Sequence, residues 1–254
     1  MRAQEGRFVW ADLTTPDSEA AASFYRELLG WELDRDESEM GVYIIGEVDG
    51  RDVAGMMAQD PDSAGMPPMW TIYLASEHLE DTLDRIKQHG GRTVAPPFDI
   101  PDGRIAIAAD PTGGTFAIAQ WPDEGGFEVY GEPGAVCWGE LLTPDVETAT
   151  RFYTAVFGWE AATTPSETGR AYTTFSHRGE QMLGVMTMPE EVPAGSPAFW
   201  QIYFLVEDID ATVTRATARG ASVLVPKMQI GENAWFTTLE DPQGAGFSIF
   251  EGTM

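Results

Sequence analysis

The chain has 254 residues, enough for one or two folding units with a sizeable core, and its 43% apolar and 22% charged residues exclude disorder, collagen and fibrous rods. Its 15 Lys and Arg against 41 Asp and Glu leave a formal charge of -26, a field that repels nucleic-acid phosphates and anionic lipid and serves either solubility and salt adaptation or the attraction of a cationic ligand. The single cysteine, Cys137, excludes an internal disulfide and a Cys-based zinc cage; with no long apolar run and no leader-like N-terminus, the expected setting is the cytoplasm.

In chain order, residues 8–14 read as a short strand. Thr15-Pro16-Asp17 then supplies a helix start, Ala21, Phe24 and Leu28 recur on one face, and Gly30 supplies a left-handed stop. Three strands follow, at Trp31-Glu32-Leu33, residues 41–49 and residues 52–58, the last two joined by the hairpin signal Asp49-Gly50. The scheme then starts again. A strand at 70–75 precedes a helix with Leu79, Leu83 and Ile86 on one face and Gly90 behind it, then strands near 92–95, 104–109 and 115–121. Residues 122–134, rich in Gly, Pro and acid, read as a linker between a first half, 1–121, and a second, 135–254. The second half reads as strand 136–142, helix 144–157, strands to about 188, strand 199–206, helix 208–219 and strands to about 250.

The halves are related by sequence. Residues 10–31 return as residues 138–159 with eleven of 22 positions identical, an offset of 128. Trp70 answers Trp200 at 130, and the Asp110-Pro111-Thr112-Gly113 turn answers Asp241-Pro242-Gln243-Gly244 at 131. The predicted fold is α+β: four βαβββ units in two tandem homologous halves.

These blocks, Asp17…Phe24-Tyr25…Leu29-Gly30-Trp31 and Asp145…Phe152-Tyr153…Phe157-Gly158-Trp159, with the two Asp-Pro-x-Gly turns, resemble the vicinal oxygen chelate superfamily of glyoxalases, bleomycin-resistance proteins and extradiol dioxygenases. The resemblance covers nearly the whole chain and implies glyoxalase-like halves whose sheets curl into clefts. Tandem members of this kind are often labelled hydroxylases or glyoxalase-like proteins. In that family the metal ligands sit on the first and last strands of the units. Carried over, those positions hold Trp10, Thr71, Met56 and Ala117 in the first half and Trp138, Gln201, Val185 and Ser248 in the second. That is not a hard-metal ligand set. The chain has only three His, and His78, His89 and His177 fall at helix ends and a hairpin turn. The expectation is a lost metal site and no cofactor.

The family's inward register also places Trp10, Asp12, Thr71 and Tyr73 in one cleft and Trp138, Glu140, Gln201 and Tyr203 in the other. Each would hold an indole, a carboxylate and a phenol, suited to stacking on a flat organic molecule that a few polar groups orient. Met56 is a further candidate lining residue, with Met57, Met186 and Met188 beside it as adaptable apolar surface or as core. Trp70 and Trp200 fall on the opposite parity and read as core. A carboxylate desolvated beside an indole would suit general acid/base work, so Asp12 and Glu140 are candidate bases and Tyr73 and Tyr203 candidate proton donors. No nucleophile elbow, phosphate loop, zinc-protease helix or dinucleotide fingerprint occurs.

Two functions follow. One is a metal-free module that binds a small aromatic or cationic organic molecule. The other is an enzyme, hydroxylase-like, lyase-like or isomerase-like, that uses the cleft acids on an organic metabolite. The expected partner in either case is a small molecule, with no nucleic acid and no membrane, and the chain is expected to be a monomer or homodimer.

Overall fold

The computed structural model describes residues 4–38, 41–60, 65–121, 125–165, 171–190, 192–193 and 195–253. Four βαβββ modules follow one another. The first holds β1 (Phe8–Thr15), α1 (Ser18–Leu29), β2 (Glu32–Ser38), β3 (Gly41–Val48) and β4 (Arg51–Ala58). The second holds β5 (Met69–Ala75), α2 (Leu79–Gln88), β6 (Arg92–Ile100), β7 (Gly103–Ala109) and β8 (Thr115–Gln120). The third holds β9 (Val136–Thr143), α3 (Val146–Phe157), β10 (Glu160–Thr164), β11 (Tyr172–His177) and β12 (Glu180–Thr187). The fourth holds β13 (Phe199–Leu205), α4 (Ile209–Ala218), β14 (Ser222–Ile230), β15 (Ala234–Glu240) and β16 (Gly246–Glu251). Modules one and two supply the sheet β2-β3-β4-β1-β5-β8-β7-β6, and modules three and four supply β10-β11-β12-β9-β13-β16-β15-β14. The α+β class and the tandem halves stand as read from the sequence. Among the described residues no helix is long and apolar enough to cross a membrane.

Local chemistry explains the element ends. The Asp17 side chain accepts the Ala20 N–H at 3.0 Å, Asp145 does the same for Thr148 at 2.9 Å, and Asp208 for Ala211 at 2.9 Å, each satisfying a helix-start donor. Gly30 and Gly158 end α1 and α3 with φ of 79° and 70°. Asp49 and Gly50 both take positive φ, the hairpin geometry that matches strand twist. Two strands outrun the sequence reading. β2 continues to Ser38 along an exposed polar surface, while β6 continues to Ile100 through Pro96-Pro97, its register slipping between Ala95 and Phe98. β14, for which the sequence reading set no end, likewise runs through Pro226. All three are edge strands, where a prolyl nitrogen need not donate to a neighbour.

Contacts cluster into two compact units, and each draws one module from each half. Unit I comprises Met1–Val9, Ile72–Gly126 and Gly139–Trp200; unit II comprises Trp10–Thr71, Phe127–Trp138 and Gln201–Met254. In unit II the Tyr25 hydroxyl, on α1, donates to Asp241 Oδ2 at 3.1 Å and accepts Trp70 Nε1–H at 3.1 Å. Asp241 Oδ1 accepts the Gln243 and Ala245 N–H groups at 2.8 and 3.0 Å, which is what its Asp-Pro-x-Gly turn is built to do. Unit I repeats the construction: Tyr153 donates to Asp110 Oδ2 at 2.9 Å and accepts Trp200 Nε1–H at 3.2 Å, while Asp110 Oδ1 takes the Thr112 and Gly114 N–H groups at 2.6 and 3.1 Å. Trp31 and Trp159 stack on these phenols at 5.7 and 5.1 Å. Both phenols are fully buried, and burial together with the facing carboxylate pushes each well above the usual tyrosine range. The repeated sequence blocks are therefore two buried interlocks, each joining a helix of one half to a turn of the other.

Candidate functional site

Alternation along β1 puts Trp10, Asp12 and Thr14 on the face opposite Leu13, and the parallel pairing with β4 sets Asp12 beside Gly55 and Leu13 beside Met56. β3 adds Tyr43, paired with Met57. These residues lie in unit II and form a closed hydrogen-bonded triad. Trp10 Nε1–H donates to Asp12 Oδ1 at 2.9 Å and to Tyr43 Oη at 2.8 Å, and the Tyr43 hydroxyl donates to Asp12 Oδ1 at 2.6 Å. Asp12 is 4% exposed and Trp10 is 7% exposed, so the carboxylate leaves water only because two donors replace it. A Cβ at residue 55 would overlap Tyr43 Oη and Asp12 Oδ1, which makes Gly55 the floor on which the triad closes.

Phe127 packs against the Trp10 indole at 5.5 Å between centroids and continues to Tyr130 at 5.6 Å. Both aromatics come from the segment read as a linker, of which residues 122–124 lie outside the described residues. The rest of that segment is tied to β4: Glu128 N–H donates to Asp52 O at 3.0 Å, and Arg51 pairs with Glu132 at 2.9 Å. It forms a wall of the site.

The other expected residues are distributed differently. Thr71 is half-buried on β5 in unit II, whereas Tyr73 falls in unit I, paired with Ala117 and stacked on Trp121 at 6.5 Å. Met56 corrects the expectation of a lining residue: it pairs with Leu13 and Ile44, is fully buried, and belongs to the core side of β4. The strand parity that carries Asp12 and Gly55 to one face carries Met56 to the other, so Met57 is the methionine on the triad's face.

In the second half, Trp138 is partly buried and packs with Phe236 and Phe250 against the buried cluster of Cys137, Tyr203 and Leu205, all in unit II. Tyr203 lies 6.2 Å from Phe236 between ring centroids and pairs with Ser248. The Gln201 carbonyl oxygen accepts the Phe247 and Ser248 N–H groups at 3.1 Å each, and the Ser248 hydroxyl shares a hydrogen bond with Thr238 at 2.9 Å. Glu140 is 7% exposed in unit I, opposite Gly184, while Tyr172 stands opposite Met186. Those registers match Asp12 with Gly55 and Tyr43 with Met57.

Sequence reasoning missed Tyr43, Gly55, Phe127 and Tyr130. A signal for two of them was present, because Tyr43 and Tyr172, Gly55 and Gly184, and Met57 and Met186 all repeat at an offset of 129.

The donor set does not fit a divalent ion. Indoles and apolar side chains stand at most positions the resemblance assigns to ligands, the Gln201 oxygen is committed to backbone N–H groups, and Ser248 to Thr238. Among the described residues no three His, Cys, Asp or Glu side chains converge. His78 and His89 flank α2, and burial, with Arg178 nearby, holds His177 below the usual imidazole range. Cys137 donates to Tyr203 O at 3.4 Å, and burial pushes its thiol far up, out of the range of a nucleophile.

Known proteins share this architecture. The family model for the Glyoxalase/Bleomycin resistance protein/Dioxygenase superfamily matches residues 7–118 and 124–249. The chain is 34% identical over 252 residues to CFP32 of Mycobacterium bovis, covering 98% of this chain and 95% of that one. It is 35% identical over 263 residues to the anthracycline biosynthesis protein DauV of Streptomyces sp., covering 97% and 93%. Among solved structures, the Mn(II)-bound glyoxalase of Novosphingobium aromaticivorans superposes with a TM-score of 0.66 at 14% identity, covering 98% of this chain and 82% of that one. At that identity the likeness is one of fold.

Proposed function

The chain belongs to the glyoxalase/bleomycin resistance protein/dioxygenase superfamily, and from that premise we propose that it binds a small planar organic molecule, without a metal ion, against the aromatic face of Trp138, Tyr203, Phe236 and Phe250. The observation that carries this reading is the gathering of aromatic side chains in one patch: Trp138, Phe236 and Phe250, each partly buried, pack against a cluster that holds the buried Tyr203, a composition suited to lying against a flat molecule. Gln201 and Ser248, spent on fixed hydrogen bonds beside Tyr203, give that face a rigid polar edge. The relative named for anthracycline biosynthesis makes a planar polycyclic quinone the first compound to try, and the net charge of -26 favours a cationic one.

Calorimetric titration with a planar quinone bearing an amine is expected to give saturable binding with no product. Trp138→Ala should weaken it roughly tenfold or more, the worth of one stacked ring, while Trp10→Phe changes it far less. Silence across planar and cationic compounds would overturn the reading.

The triad favours a second reading. The 2.6 Å hydrogen bond from Tyr43 to Asp12 is a ready proton path, in which Asp12 would accept a proton and Tyr43 hold the orientation. On this reading Asp12→Asn, with Glu140→Gln as its counterpart in the other half, abolishes turnover of an organic metabolite. Unchanged turnover in both variants would remove it.

A further inference from the structure

Duplication lets one unit show what the other lacks. In unit I the Glu5 carboxylate is held at the start of α2 by three donors: the Glu77 N–H at 2.7 Å, the Thr82 hydroxyl at 2.7 Å, and the Arg85 guanidinium. Arg85 also donates to Thr82 Oγ1 at 2.8 Å and to Val156 O, at the end of α3, at 3.1 Å.

Unit II rebuilds the same donors at the start of α4. Thr212 and Arg215 stand at the repeat positions of Thr82 and Arg85, and Glu207 at that of Glu77. Arg215 donates to Thr212 Oγ1 at 2.9 Å and to Leu28 O, at the end of α1, at 3.3 Å. The backbone frame is equivalent as well. Gly6 N–H donates to Ala75 O and Gly134 N–H to Leu205 O, both at 2.8 Å; Trp159 Nε1 donates to Gly6 O and Trp31 Nε1 to Gly134 O. The residue before Gly6 is Glu5. The residue before Gly134 is Pro133, which brings no carboxylate.

Where Glu5 sits in unit I, unit II has a cavity of about 370 Å³ lined by Leu28, Pro133, Val206, Glu207, Thr212 and Arg215. The acids around it are engaged elsewhere or match acids that unit I tolerates. Glu132 pairs with Arg51, Glu27 with Arg219, and Asp208 caps α4, while Glu207 is exposed at the repeat position of Glu77. Thr212 turns its hydroxyl to Asp208 O at 2.7 Å, and among the described residues the Glu207 N–H meets no acceptor.

We propose that this cavity is a binding site for a small monocarboxylate. Its anionic end takes the Glu207 N–H and the Arg215 guanidinium, with the Thr212 hydroxyl rotating from Asp208 O to donate to it as Thr82 does to Glu5, and its apolar end lies against Leu28, Pro133 and Val206. The site shares no residue with the aromatic face of Trp138, so it stands or falls independently of the proposed function.

The test uses the full-length 15N-labelled protein titrated with sodium acetate, then butyrate, with sodium chloride at equal ionic strength as the reference. The Glu207 amide is expected to shift and saturate with both carboxylates, butyrate at the lower concentration, while the Glu77 amide, already occupied by Glu5, stays still. Arg215→Gln should weaken the response at least tenfold. Pro133→Glu, which supplies the missing carboxylate from the chain itself, should abolish the response and raise Tm by roughly 2–4 °C. A Glu207 amide that moves no further with carboxylate than with chloride would overturn the proposal, as would a Pro133→Glu protein that still responds to acetate.

Discussion

Gly55 fixes how tightly the Trp10, Asp12 and Tyr43 groups can close, because its missing side chain is the space they use. Gly55→Ala is expected to force the Tyr43 ring away from Asp12 and to cost about 1–3 kcal/mol by overpacking. Tyr43→Phe removes a 2.6 Å hydrogen bond to a buried carboxylate and should cost a similar amount, about 1–3 kcal/mol. The two should not add. With the Tyr43 hydroxyl gone, part of the obstacle to a methyl group at residue 55 is gone too, so urea unfolding of the double variant should show a loss smaller than the sum of the singles. Additive losses would mean that Gly55 and Tyr43 do not share the same space. Asp12 and Trp10 are legible in the sequence as neighbours, since alternation along one strand puts i and i+2 together. Tyr43 and Gly55 are not, because their meeting depends on the register of β3 on β4 and of β4 on β1, which single-strand patterning does not contain.

Helices and turns are the most legible elements, because Asp17, Gly30 and Asp241 each carry a local chemical role, as helix cap, helix stop and turn acceptor, that sequence displays. The edge strands β2 and β6 read short because, with little burial to enforce it, their apolar alternation is weak or broken, and Pro96-Pro97 looks like a break. The interlocks also predict a pH dependence. An unfolded tyrosine ionises near pH 10, whereas buried Tyr25 and Tyr153 hold their protons well above that. Their stabilisation is therefore fully present below about pH 10 and is lost as pH rises from there toward the folded-state values. Thermal unfolding between pH 8 and 11 should show a Tm that falls steeply above about pH 10. Tyr25→Phe with Tyr153→Phe should start lower, since Asp241 and Asp110 each lose a donor, and fall less steeply. A wild-type Tm that is flat to pH 11 would contradict the assignment.

At the scale of the whole molecule, the sheets follow the halves while the compact units do not. The strand order keeps modules one and two in one sheet, yet Tyr25 of module one finds its carboxylate on Asp241 of module four, and Asp110 of module two finds its phenol on Tyr153 of module three. A half cut out at the linker therefore keeps its sheet and loses both interlocks. It exposes the face of α1 that buries Ala21, Phe24, Tyr25 and Leu28, and it strands Asp110 without its phenol. Two copies of residues 1–134 could repair the damage reciprocally, because Tyr25 of one copy and Asp110 of the other are the same pair of residue types at repeat-equivalent positions. The expected result for that fragment is a dimeric mass by light scattering, with a Tm that rises with protein concentration. In the fragment Tyr25→Phe should weaken the dimer, whereas in the intact chain it lowers stability without changing the mass. A fragment that stays monomeric with a sharp, concentration-independent transition would show that a half is a self-sufficient folding unit, and that the interlocks decorate the fold rather than hold it.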